Sequence, residues 1–162
     1  MIYFRCEISE QIGWGHIKRC LAFAEALNNY TKTCFLIVDP TKYIKDSVKN
    51  IGSEIYNLPY GLSYNEEISY YPTGAKQIIL DLGHQKNLND PKKFISYLNE
   101  LNKRFFNIIM VDGIDKEALN NKDTPKVMVN IQPYIGISKN LQPNAQHWLC
   151  GKEYIILKIY KN

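Results

Sequence analysis

No stretch of this 162-residue sequence is apolar for long enough to cross a bilayer: runs such as Ile108-Ile109-Met110-Val111 fall far short of the roughly 20 residues a spanning helix needs. Export signals have a charged opening and then an apolar core. Here Met1 leads straight into an alternating strand-like run that contains Arg5, so the expected location is the cytoplasm. Paired cysteines are also lacking. Cys6, Cys20, Cys34 and Cys150 form no CxxC, and no histidine stands at ligand spacing from them, which argues against a zinc site and for reduced core thiols. The charge has no strong bias, at +4, and its lysines are scattered along solvated helix faces. A focused basic stripe for nucleic acid is therefore not expected. No carboxylate pair or DxD suits a diphosphate-bound cation, so no metal and no cofactor is implied.

What is present is an alternation of strand-like and helix-like segments, the pattern of a parallel α/β sheet. Strands are expected at Ile2 to Ile8, Thr33 to Asp39, through Ile55 and Leu58, Gln77 to Leu82, Phe106 to Val111 and Val127 to Ile131, with a last apolar run at Tyr154 to Ile159. The first helix is expected from about Gly15 to Asn28, where Ile17, Leu21, Ala24 and Leu27 make one stripe. A second starts at Pro40 and ends at Gly52, and a third covers Pro91 to Lys103. A short one is expected around Lys116 to Leu119. Residues Pro59 to Gly74 read as a long loop with one helical turn. The sum is one open, mostly parallel, Rossmann-like domain over residues 1–162, with helices on both faces. Ligands of such sheets bind at the carboxyl ends of the strands. That rule singles out Glu7 to His16, Asp81 to His84, Asp112 to Asp115 and Asn130 to Gln132.

The run Arg5 to Cys20, RCEISEQIGWGHIKRC, is the most informative. Gly13 and Gly15 allow a tight turn and a close backbone approach to a ligand. His16 falls in the first helical turn, where free N–H groups and the positive end of the dipole favour an anion. The same dipole opposes a charged ring, so a neutral imidazole able to take a proton from water is expected. The segment is no dinucleotide fingerprint, because Lys18 stands where the third glycine belongs. Asp39 ends the second strand, but without an intact fingerprint before it. His84 and His147 carry no supporting pattern, and His147 reads as structural.

The pattern Arg5-x-Glu7…Gln11-Ile12-Gly13-Trp14-Gly15-His16-Ile17-Lys18-Arg19-Cys20-Leu21-x-x-Ala24 resembles the N-terminal motif of the UDP-2,4-diacetamido-2,4,6-trideoxy-altropyranose hydrolase family of pseudaminic acid biosynthesis. That family is similar to the spore-coat polysaccharide glycosyltransferase-like proteins. Weaker echoes lie at Ile79-Leu80-Asp81, Val111-Asp112, Val129-Asn130 and Cys150-Gly151-x-x-Tyr154-Ile155-Ile156-Leu157. The resemblance implies the sugar-side, N-terminal half of a glycosyltransferase-B-type architecture, with nucleotide binding supplied by a further domain or a partner chain outside this sequence. It implies hydrolysis of a UDP-linked sugar at the anomeric carbon, His16 orienting or deprotonating the attacking water. Glu7, Gln11, Gly13, Trp14, Gly15, Arg19, Asp81 and Asp112 are then the substrate-binding positions. Three positions depart from the family pattern. Glu7 replaces an aspartate, Asp81-Leu82-Gly83-His84 replaces D-H-Y-G, and Asp112-Gly113 with Asp115 replaces a DD pair. Two alternatives stay open: a glycosyltransferase of the same fold, and a catalytically silent sugar-binding half that needs a partner chain.

Overall fold

The computed structural model describes residues 1–8, 14–74, 76–82, 91–111, 127–130 and 147–150. In chain order these form β1 (Ile2–Cys6), α1 (Gly15–Leu27), β2 (Thr33–Val38), α2 (Lys42–Asn50), β3 (Glu54–Leu58) and α3 (Tyr64–Glu67). A 3₁₀ turn (Ile68–Tyr70) follows, then β4 (Gln77–Asp81), α4 (Pro91–Arg104), β5 (Asn107–Val111), β6 (Val127–Asn130) and β7 (His147–Cys150). The strands form one seven-stranded sheet in the order β3-β2-β1-β4-β5-β6-β7. Every neighbouring pair is parallel.

Period-two alternation sends successive side chains to opposite faces, and both faces are covered. Phe4, Cys6, Phe35, Ile37, Ile79 and Val111 join Ile17, Cys20 and Ala24 of α1 and Ile44 and Val48 of α2 in one core. Tyr3, Leu36, Leu58, Ile78, Leu80, Ile108 and Met110 join Ile68, Tyr71 and the α4 residues Phe94, Tyr97, Leu98 and Leu101 in the other. The expected architecture, an open parallel α/β sheet with helices on both faces, is the observed one. In the first core, Phe4 stacks on Phe35 with ring centroids 5.0 Å apart.

The differences from expectation lie at element ends and in one additional strand. β1 stops at Cys6 rather than Ile8, although the Glu7 N–H still donates to the Asp81 carbonyl at 3.3 Å. β2 stops at Val38 because Asp39 turns out of the strand with φ +44°. Pro40 does not begin α2. It precedes the cap Thr41, whose hydroxyl accepts from the Ile44 N–H, and the helix runs from Lys42 to Asn50. Gly52, at φ +75°, follows its end as expected. The helical turn in the Pro59–Gly74 loop is α3, closed by a capping box between Ser63 and Glu66. β7 was not expected as a strand. The proposed helix at 116–119 and the apolar run at 154–159 lie outside the described residues.

Candidate functional site

The strand order reverses between β1 and β4, so the crevice at the carboxyl ends of these two strands is the topological switch point of the sheet. Asp81, the last residue of β4, sits beside Cys6 of β1 in register. Strand alternation turns its side chain, like that of Ile79, toward the face covered by α1. His16, Arg19 and Cys20 stand three and four residues apart at the start of α1, the spacing that stacks side chains on one helix face. All three meet the Asp81 carboxylate.

Arg19 forks onto it, Nε to Oδ2 at 2.7 Å and Nη2 to Oδ1 at 2.6 Å. His16 Nδ1 lies 2.6 Å from Oδ1, and the Cys20 thiol donates to Oδ2 at 3.5 Å. Asp81 is fully buried, whereas the side chains of His16 and Arg19 remain 16% and 14% exposed. A bidentate arginine–carboxylate pair of this kind is strong and directional. Arg19 Nη2 also approaches His16 Nδ1 at 3.2 Å. An ionised carboxylate cannot donate, so the 2.6 Å contact with Asp81 Oδ1 requires the proton on Nδ1. We therefore assign the Nδ1–H tautomer, in which Nε2 carries the lone pair.

Cys20 lies beneath this cluster. Burial, then its hydrogen bond with Cys6 and the nearby Asp81 charge, push its thiol well above the ordinary range. It stays an S–H donor rather than a thiolate nucleophile.

The opposite face of the same strand end carries a second polar cluster. Arg5, 2% exposed, pairs through Nε and Nη2 with both carboxylate oxygens of buried Glu67 at 2.9 Å, and donates from Nη1 to the Cys6 carbonyl. Burial works against its charge, but Glu67 and the nearby Tyr71 and Tyr97 outweigh that and hold it well above its usual range. Tyr71 donates to Glu67 Oε1 at 2.6 Å. Burial raises the phenols of Tyr64, Tyr71 and Tyr97, so all three remain protonated donors.

The structure thus brings His16, Arg19 and Asp81 of the expected site together. Glu7 belongs elsewhere: its carboxylate accepts from Tyr64 at 3.3 Å and lies 4.0 Å from Arg5, on the other side of the sheet from His16. Trp14 is the N-cap of α1, 45% exposed, and meets Tyr43 edge to face at 5.4 Å. Gly15 lies at the helix start rather than at a left-handed turn position. It is the first residue of α1, and a Cβ on it would meet nothing within 4 Å. What it offers is open space beside the helix start. Gln11, Gly13, Asp112 and His84 lie outside the described residues. Sequence reasoning missed Cys20 as an Asp81 partner and the Arg5–Glu67 pair. An arginine inside an otherwise apolar strand was the available signal for the latter.

Beside the cluster, over the ends of β1 and β2, is a cleft of about 250 Å³ lined by Ile8, Trp14, Val38, Asp39, Pro40, Thr41 and Ile44. A larger hollow near α4 includes Lys103 and Arg104, but Lys103 pairs with Glu100 and Arg104 donates to the Ile68 and Tyr71 carbonyls. Among the described residues no group of three His, Cys, Asp or Glu side chains could hold a metal ion, and no helix is long and apolar enough to cross a membrane. A buried carboxylate that positions a part-exposed imidazole at the mouth of the sheet can support proton transfer at Nε2. No protein-family model matches the chain, and no curated protein does so.

Proposed function

We propose that this domain is the sugar-handling half of a nucleotide-sugar hydrolase, acting on a UDP-linked deoxy-diacetamido sugar in surface-glycan biosynthesis. The observation that carries the reading is the 2.6 Å contact between His16 Nδ1 and fully buried Asp81 at the switch point. In this reading His16 Nε2 takes a proton from water as the water oxygen bonds to the anomeric carbon. The bond from that carbon to the diphosphate oxygen breaks, UDP departs with the electron pair, and the imidazolium returns its proton to solvent or product. Asp81 fixes the tautomer and stabilises the imidazolium while it lasts. The first turn of α1, which has no side-chain cap, supports the developing negative charge on the leaving group. A further domain or partner chain supplies the grip on the nucleotide, and the protein works in the cytoplasm.

The test is UDP release from the UDP-sugar by the protein together with its nucleotide-binding partner. His16→Ala should lower kcat by about a hundredfold or more, the usual weight of a general base. A variant with undiminished turnover would defeat the assignment. A glycosyltransferase of the same fold is distinguished by UDP release that rises only when an acceptor sugar is added.

A second reading, a silent sugar-binding half, is favoured by one observation: Arg19 already forks onto both oxygens of Asp81 and neutralises it. In that case binding of the sugar survives His16→Ala and no turnover is seen in the parent protein.

A further inference from the structure

The cleft beside the His16 cluster has a character of its own. Its walls are the apolar Ile8, Val38, Pro40 and Ile44 together with the half-exposed Trp14 indole. Two polar groups lie among them. Asp39 is exposed, and its carboxylate has no hydrogen-bond or ion-pair partner among the described residues. Thr41 uses its oxygen to cap α2 by accepting from the Ile44 N–H at 3.4 Å, so its hydroxyl hydrogen is available to donate. An apolar wall with a few convergent polar groups is the composition of a small-molecule site. At about 250 Å³ the cleft falls below the roughly 300–1,000 Å³ that hold a drug-sized ligand, so it admits a single ring rather than a whole nucleotide sugar.

We propose that this cleft binds a sugar ring carrying two adjacent hydroxyls, with Asp39 accepting from the hydroxyl pair, Thr41 donating to one of them, and the C–H face of the ring against Trp14. The chemistry is the same whether the ring is the ribose of a nucleotide or a pyranose. A carboxylate suits this role because it accepts at two oxygens side by side and cannot donate. The cleft lies over the ends of β1 and β2, the strand pair next to the switch point between β1 and β4. The inference goes beyond the hydrolase reading and does not depend on it, because it concerns binding without turnover.

Uridine, 2′-deoxyuridine and methyl glucopyranoside are titrated into the protein, followed by tryptophan fluorescence and ligand-observed NMR, with Asp39→Asn and Asp39→Gly beside the parent. Uridine binding that weakens about tenfold or more on loss of the 2′-hydroxyl, and likewise in Asp39→Asn, establishes the site with a ribose occupant. The same Asp39 dependence for the glucoside establishes it with a pyranose occupant. Absence of binding by all three, or binding indifferent to both the 2′-hydroxyl and Asp39, overturns the proposal. Asp39→Gly guards against misfolding as an explanation. It relaxes the positive φ, so it should melt no lower than the parent while losing the same binding. If Asp39 serves only the α2 dipole, both variants lower the melting temperature and leave ligand titrations unchanged, which also overturns it.

Discussion

Asp81 accepts from three side chains of one helix, and its two oxygens are both engaged. Replacing one oxygen with an amide group turns an acceptor into a donor that faces either Nε or Nη2 of Arg19. Asp81→Asn should therefore lower folding stability by about 1–3 kcal/mol, the usual cost of leaving a buried polar group unmatched. Urea denaturation checks this, and an unchanged midpoint would mean that α1 is held by its apolar face alone. The participants differed in how visible they were in the sequence. His16 and Asp81 stood out because each falls where an element of an α/β sheet begins or ends. That Arg19 would turn inward was not visible, since a residue three past His16 serves solvent, a phosphate or a carboxylate equally well in sequence. Cys20 looked like core, and it is core. Its contact with a carboxylate depends on the register of β4 against β1, which no local pattern encodes.

At the scale of elements, the turns carry the information. Gly52, at φ +75° after α2, was recognisable because a helical pattern stops beside it. Gly52→Ala should cost about 1 kcal/mol by forcing a side chain into the left-handed region, measurable by thermal or chemical denaturation. α3 is short and depends on its capping box. The Ser63 hydroxyl and N–H hold the exposed Glu66 carboxylate below the ordinary glutamate range. A depressed folded value means that the unfolded chain binds the proton first as pH falls. The contribution is present above the usual glutamate range and is lost on acidification through the folded value. The stability gap between parent and Glu66→Gln should accordingly be open at pH 7 and narrow as the pH falls below the ordinary glutamate range. Strand ends were less legible than turns. Asp39 continued an apolar run in sequence, yet it leaves the strand through a left-handed conformation that aspartate tolerates better than most residues.

For the whole molecule, the alternation of strand-like and helix-like segments was enough to anticipate a sheet covered on both sides, and Phe4, Phe35 and Ile79 on one face do oppose Tyr3, Leu36 and Ile78 on the other. Buried charge was not anticipated. Glu67 lies in a segment that reads as loop, and its pairing with Arg5 spans 62 residues. Arg5→Leu strands the Glu67 charge and should cost about 3–5 kcal/mol, while the double change with Glu67→Leu should recover most of that loss. Denaturation of the four-protein cycle reads the difference. On the alkaline side, burial lifts the Cys34 thiol to about 11 and raises the phenols of Tyr64, Tyr71 and Tyr97. The unfolded chain releases these protons first, so stability is flat below about pH 9 and falls from there toward 11, as urea midpoints at pH 7.5, 9 and 10.5 would record. The end of β1 joins these distant parts. Arg5 grips the Cys6 carbonyl from one side, and the N–H of that same peptide group, carried by Glu7, donates to the Asp81 carbonyl. Two polar side-chain assemblies on opposite faces are thus joined through one backbone seam, residues 5 to 7. Damage introduced beneath the sheet should be felt above it as a shifted His16 imidazole resonance, long before the protein unfolds.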